Sequence, residues 1–352
     1  MVTIVCPYCF SDFEPADMWF RCLEHEPALE FRWWEGRLRK PPKYAACTKG
    51  EHLCGIRLCP KCRRTLPYHI GRSEQLTIAV TGPRAAGKTL YLWSLLHELR
   101  GRLATEPEPF AAAMFEDDQS FEMYAALARS IFKDKELPSA TQAKQQEKGN
   151  LPPTTVRLWC GRRLITLSLY DPAGELVENL QKIEFLSYLR HSAAIVYLVP
   201  PPDEVDKEGS LNTGADGLGN IVSHLRRSMA IPKSVLPKTL AVVMTQCDRE
   251  VFKKHAPEEI NPGYRWSQDE WRRYGGRERK EVAAVSEVCS DVLREYEYNS
   301  LVNTARDNFR ACRFFAVSSL GSKPFTDDGD LNTNNLAPVG VECPLFWCLN
   351  EA

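Results

Sequence analysis

After residue 74 the apolar positions fall into short runs of two kinds. EQLTIAVTG (74–82) is apolar and β-branched and closes on a glycine, the pattern of a buried strand. KTLYLWSLLHELRGRL (88–103) instead sets Leu92, Leu95, Leu96 and Leu99 at the i, i+3, i+4, i+7 spacing of one helix face. TTVRLWC (154–160) and RRLITLSLY (162–170) read as two strands of a hairpin with its turn at GRR. AAIVYLV (193–199), TLAVVM (239–244) and CRFFAV (312–317) are strand-sized, and GNIVSHLRRSM after the first of them reads as a helix. Strands interleaved with helices predict an α/β sheet covered on both faces.

At 352 residues the chain has room for about two domains. The first is a cysteine-rich module over 1–66, followed by a linker over 67–73 that Pro67 and Gly71 punctuate. The second covers 74–352, with polar insertions near 201–217 and 250–278. A net charge of −1 gives no global field toward nucleic acid or an anionic membrane. No apolar run approaches the roughly 20 residues of a membrane span. The start, MVTIVCPYCF, lacks the pattern of a secretory signal, so a cytoplasmic protein is expected.

The turn between the first strand and helix reads TGPRAAGKTL and fits G-x-x-x-x-G-K-[ST]. In such a loop Gly82 and Gly87 let the backbone wrap phosphates. The amides of Pro83–Leu90 other than the prolyl one, through Arg84, Ala85 and Ala86, point at the anion with the helix N-terminus behind them. Lys88 is expected to reach the β- and γ-phosphates, and Thr89 to place its hydroxyl on Mg²⁺.

Three later stretches ask whose nucleotide this is. LYDPAGE ends a strand in D-x-x-G, where Asp171 would hold Mg²⁺ through water and the Gly174 amide would report the γ-phosphate. TQCD ends another strand, and Asp248 stands where a carboxylate accepts from guanine N1–H and the exocyclic amine, which adenine cannot match. Thr245 and Gln246 occupy the Asn and Lys places of the usual N-K-x-D, so a weakened guanine preference is expected. Ser318, Ser319 and Leu320 approximate an S-A-K stretch, whose backbone amide meets guanine O6. The residue that usually orients the attacking water is here Glu175, a carboxylate that the γ-phosphate repels. Arg84 is a candidate built-in arginine finger, with solvent or Glu175 as its alternative partner. The threonine that closes on Mg²⁺ is open between Thr141 and the Thr154–Thr155 pair, on which spacing favours Thr154.

Seven of thirteen cysteines lie in the first 62 residues. CPYC (6–9) and CPKC (59–62) are C-x-x-C knuckles suited to Zn²⁺. The long gap between them carries Cys22, Cys47 and Cys54, with His25 and His52, so one or two structural zinc ions are expected. Two groupings stay open: Cys6, Cys9, Cys59 and Cys62 as one site with Cys22, Cys47, Cys54 and a histidine as the other, or Cys6, Cys9 and Cys22, with His25 as a candidate fourth, apart from Cys47, Cys54, Cys59 and Cys62. Trp33 and Trp34 among arginines suit either a small core or single-stranded nucleic acid, and the absence of basic bias favours the core. Trp266, Trp271 and Tyr274 in the second insertion suit either a protein interface or a capping loop over the nucleotide.

These motifs together (CPYCF, RLCPKCRRTLP, the phosphate loop, LYDPAGE, AVSSLGS and VECPLFWCL) resemble a bacterial translation-factor-related (TRAFAC) GTPase of the double-GTPase type, over residues 74–350 and the cysteine-rich start. The resemblance implies a Ras-like P-loop NTPase three-layer sandwich preceded by a zinc ribbon, and it leans to Thr141 as the switch residue. It also implies GTP/GDP exchange and a place in bacterial defence or conflict systems beside protein partners, including a second GTPase or effector. A P-loop ATPase and a non-hydrolysing adaptor docked through the zinc ribbon are the competing functions.

Overall fold

The computed structural model describes residues 3–32, 42–84, 86–101, 111–137, 153–160, 163–171, 187–200, 213–231, 235–248, 280–321 and 331–351. Its main sheet has seven strands: β8 (Glu74–Thr81), β9 (Ala111–Phe115), β10 (Thr154–Cys160), β11 (Arg163–Tyr170), β12 (Ala194–Val199), β13 (Leu236–Met244) and β14 (Phe309–Ala316). They lie in the order β14-β13-β12-β8-β11-β10-β9. The first five in that order are mutually parallel, while β10 runs antiparallel to β11 and to β9. The hairpin read from the sequence is therefore present, with Thr154 paired to Leu169 and Cys160 to Arg163.

Successive β8 residues face opposite layers, as a pleated strand requires. Ile78 and Val80 pack with Leu92, Leu95, Leu96 and Leu99 of α1 (Lys88–Arg100) and with α7 (Cys343–Glu351). Ala79 faces the other layer. There the core is completed by α3 (Ser187–His191), α4 (Thr213–Ser228), α5 (Lys280–Glu295) and α6 (Asn299–Asn308). Burial on both faces accounts for the uninterrupted apolar run of β12. The result is a Ras-like three-layer α/β sandwich. Helix α1 closes at Arg100, three residues before the end of its apolar pattern, with Gly101 as its C-cap.

Between α1 and β10 the chain adds a strand and a helix that the sequence pattern did not announce. β9 pairs along β10, and α2 (Asp118–Arg129) follows, capped by the Asp117 side chain accepting from the Ser120 amide. Glu116, at the end of β9, accepts from the His69 amide at 2.9 Å and lies 2.9 Å from His69 Nδ1. Arg157 stands 3.7 Å from the same carboxylate. The stretch read as a linker, 67–73, is thus a fixed corner, with Ile70 buried in the cysteine module's core.

That module is built from small antiparallel pieces. β1 (Ile4–Val5) pairs with β2 (Asp12–Phe13). β3 (Trp19–Cys22) lies between β4 (Leu29–Arg32) and β7 (Ile56–Leu58), and β5 (Ala45–Ala46) pairs with β6 (Leu53–Cys54). It rests on the large domain. The Gln75 side chain both accepts from the Val5 amide (3.3 Å) and donates to the Val5 carbonyl (3.1 Å). Phe10 stacks on His191 and packs against Tyr170, whose hydroxyl donates to the Pro7 carbonyl. Among the described residues no helix is long and apolar enough to cross a membrane.

Phe346 of α7 is buried in the core layer beside α1. Replacing it with alanine leaves a cavity there, and Phe346→Ala is expected to cost about 3–5 kcal/mol in chemical denaturation.

Candidate nucleotide and metal sites

The C-terminal ends of the parallel strands all open on one edge of the sheet, where ligands of open α/β sheets bind. β8 delivers the glycine-rich loop, β11 Asp171, β13 Thr245–Asp248, and β14 Ser318–Gly321.

Two glycines shape the loop for different reasons. Gly82 has φ +149°, and a Cβ there would lie 2.4 Å from the Leu198 carbonyl oxygen of β12. The loop can leave the sheet only by crossing that carbonyl with no side chain. Gly87 is the N-cap of α1 at φ +72°, with open space where its Cβ would be. Its constraint is the left-handed backbone alone.

Lys88 is buried, and its ammonium donates to the carbonyls of Gly82 (3.0 Å) and Pro83 (2.7 Å), which holds it at the mouth of the loop. Thr89 Oγ1 donates to Asp171 Oδ2 at 2.7 Å. Packing around Asp171 pushes its carboxyl above the usual carboxylate range, while the Thr89 hydrogen bond and the Lys88 charge oppose that shift. A hydroxyl and a carboxylate brought together beside a helix N-terminus are the hard oxygen donors that Mg²⁺ takes. Arg84 is exposed. Thr154 sits in the β10–β11 ladder, while Ala85, Thr141, Gly174 and Glu175 lie outside the described residues, as do Trp33, Trp34, Trp266, Trp271 and Tyr274.

On the base side, the Ser318 hydroxyl donates to Asp248 Oδ1 at 2.5 Å and accepts from the Gly321 amide at 2.9 Å. The carboxylate is thereby aimed by a neighbouring loop. The Ser318 amide donates to the Val339 carbonyl, so of the S-A-K-like stretch only the later amides, of Ser319 and Leu320, are candidates to meet a base oxygen. The Ser319 carbonyl accepts from Ser94 of α1 at 2.8 Å, which ties this loop to the phosphate-loop helix. Thr245 spends both its amide and its hydroxyl on the Val199 carbonyl (3.0 and 3.2 Å), and Gln246 adopts φ +57°. The Ser318–Asp248 contact escaped sequence reading because serine hydroxyl roles depend on which loop faces them.

The knuckle thiols of Cys6, Cys9, Cys59 and Cys62 converge within 4.8 Å of one another. Cys6 and Cys62 Sγ are 3.7 Å apart, and Cys9 and Cys59 Sγ 3.8 Å. A disulfide would bring sulfurs to about 2.05 Å. Four thiolates about 2.3 Å from one tetrahedral zinc lie about 3.8 Å apart. The set therefore fits a closed four-thiolate metal site. Cys22, Cys47 and Cys54 form a separate group. The geometry separates the cysteines along the first of the two groupings open to sequence reading.

A seven-stranded Ras-like sheet with a phosphate loop, a buried Lys88 and a Thr89–Asp171 pair defines a P-loop GTPase-type domain carrying a cysteine module at its N-terminus. The Double-GTPase 2 family model matches residues 76–302, more than half of the 352, and the chain belongs to that family of GTP-binding proteins. Both the cysteine module and the Ser318 loop lie outside the matched span. SaeC of Mycolicibacterium smegmatis, named for ESX-1 scaffolding and assembly, is 22% identical over 267 residues. That match covers 68% of this chain and 66% of SaeC, just under two thirds of the relative's length. A small GTPase of Trypanosoma brucei, Arl6 BBS3 with a bound nucleotide analogue, aligns over 78% of this chain and 95% of its own at 10% identity and a TM-score of 0.34. Sup35 with GDP aligns over 75% of this chain and 41% of its own, at 14% identity and a TM-score of 0.27. Likeness at that level leaves the fold to be read from the strand order itself.

Gly82→Ala must displace the loop from the Leu198 carbonyl, so nucleotide affinity is expected to fall at least about tenfold, or 1.4 kcal/mol. Gly87→Ala carries only the left-handed backbone cost of about 1–2 kcal/mol. Titration of a fluorescent nucleotide and thermal melting of both variants check the contrast.

Proposed function

We propose that this protein is a Mg²⁺-dependent GTP switch with slow intrinsic hydrolysis, whose nucleotide state sets its engagement with a protein partner. The observation that carries the guanine part is the Asp248 carboxylate held by the Ser318 hydroxyl. An acceptor fixed in that way discriminates for a base bearing N1–H and a 2-amine. A hydrogen bond to a charged group contributes about 1.5–3 kcal/mol.

In this reading the loop amides and the Lys88 ammonium bind the phosphates, and Thr89 with Asp171 holds Mg²⁺. When bound, Mg²⁺ neutralises charge on the phosphate oxygens. Thr141 or Thr154 closes over the site in the GTP state, and Gly174 senses the γ-phosphate. Glu175 is a poor orienter of the attacking water, because its carboxylate and the γ-phosphate repel. Arg84 is exposed at the loop, with the γ-phosphate, Glu175 or solvent as its candidate partners. Slow turnover raised by a partner follows from these substitutions. The scaffolding name of the M. smegmatis relative supports the partner, and the family resemblance supports a role in bacterial defence. The four-thiolate site holds structural Zn²⁺.

The decisive test is competition of GTP, GDP and ATP against a fluorescent GTP, with Mg²⁺, on the wild type, Asp248→Ala and Ser318→Ala. Guanine nucleotides are expected to win by at least about tenfold, with the margin lost in Asp248→Ala and reduced in Ser318→Ala. Equal competition by ATP, unchanged in Asp248→Ala, would move the assignment to a P-loop ATPase.

Phosphate release from the purified chain is expected below about 10⁻² s⁻¹, the scale of GTPases without an external finger. Faster turnover by the chain alone sinks the partner-dependent part. No release with or without cell extract leaves a non-hydrolysing adaptor.

A further inference from the structure

The turn that begins at Cys47 shares two hydrogen bonds with the zinc knuckles but lacks their left-handed fifth residue (Phe10, Arg63) and their second thiol. In the knuckles the first cysteine's amide donates to the carbonyl five residues on: Cys6 to Ser11 at 3.1 Å and Cys59 to Arg64 at 3.0 Å. Cys47 does the same to His52 at 2.8 Å. The amide two residues on points at the sulfur in both cases compared: Tyr8 at Cys6 (3.4 Å) and Lys49 at Cys47 (3.5 Å). An amide aimed at sulfur is how knuckles stabilise a thiolate, as second-shell groups do around metal ligands generally. Three residues after Cys6 and Cys59 stand Cys9 and Cys62, but three after Cys47 stands Gly50. This turn supplies one thiol, and any metal on it must be completed from elsewhere.

Two further thiols are in place, and a fourth donor stands at the edge of the group. Cys54 comes from β6 and Cys22 from the end of β3. Both are buried, and their sulfurs lie within 4.8 Å of Cys47 Sγ and of each other. None of the three is in a disulfide. The fourth donor is His25, in the turn after β3: its Nε2 lies 3.3 Å from Cys47 Sγ, and its ring has to turn inward to come within 4.8 Å of all three sulfurs. Around tetrahedral zinc, with bonds of about 2.0–2.1 Å to nitrogen and 2.3 Å to sulfur, the expected N···S separation is about 3.6 Å. His52 meets His25 edge-on, ring centroids 6.1 Å apart, and its own ring fills the space beside Gly50. That places His52 to steer the ligand ring.

We propose that Cys22, Cys47, Cys54 and His25 form a second structural metal site, a closed three-thiolate, one-imidazole zinc centre. Its two ligand pairs come from different hairpins, β3–β4, held by four residue pairs, and β5–β6, held by two. A pair of strands two residues long is not stable on its own in water. The metal adds a cross-link between the two hairpins to the module's small hydrophobic core.

Metal content and Co²⁺ spectra of the full chain, purified under reducing conditions, test this. The wild type is expected to carry about two zinc ions per chain, and Co²⁺ to report one four-thiolate and one mixed sulfur–nitrogen centre. His25→Ala is expected to retain about one zinc, in the four-thiolate site, and to lose the mixed spectrum. His25→Cys is expected to keep two metals, with both centres reading as four-thiolate. If His25→Ala empties both sites, metal in His25→Cys separates loss of a ligand from loss of fold. One zinc per reduced wild-type chain, a Co²⁺ spectrum unmoved by both His25 substitutions, or loss of the second metal in His52→Ala but not His25→Ala would each overturn the assignment.

Discussion

Everything at the nucleotide edge depends on β8 running between β11 and β12, parallel to both. On one side β12 brings the Leu198 carbonyl under Gly82, and that close approach fixes how the loop leaves the sheet. On the other side β11 ends beside the start of α1, so Thr89 and Asp171 meet although they are far apart in sequence. The buried ammonium of Lys88, held by the loop's own carbonyls, then lies close enough to bias the Asp171 carboxyl. Move β8 by one place in the order and the hydroxyl, the carboxylate and the ammonium no longer converge.

The side proposed to read the base is assembled more loosely, from two strands and a helix. Asp248 follows β13, Ser318 follows β14, and Ser94 of α1 holds the neighbouring Ser319 carbonyl. One helix therefore carries both the phosphate-side residues Lys88 and Thr89 and the anchor of the base-side loop. Thr245, in the place of the usual asparagine, is turned inward onto Val199 and away from ligand chemistry.

What could be read in the chain before its structure was whatever is local. The loop, its strand and its helix are contiguous, and the Leu92–Leu99 stripe announces the face that packs. The β10–β11 hairpin is equally local. β9 escaped because AAAMF has little strand propensity and owes its conformation to the open edge of β10. The Glu116–His69–Arg157 contact escaped because three distant segments make it, and the same holds for Ser318 on Asp248. In the cysteine module the spacing of C-x-x-C identified two knuckles, but three cysteines and two histidines in a long insert allow several partitions. Only the spatial separation of the two thiol groups chooses among them.

The docking of the cysteine module fixes the residue that precedes Asp171. Tyr170 is the last residue before Asp171. Its hydroxyl is held by Pro7 inside the first knuckle, one ring face lies on Tyr188, and Phe10 packs beside it. Segments after D-x-x-G rearrange with the γ-phosphate in GTPases. If the proposed switch operates, the backbone up to Tyr170 is held by the first knuckle, so any such rearrangement would begin beyond it.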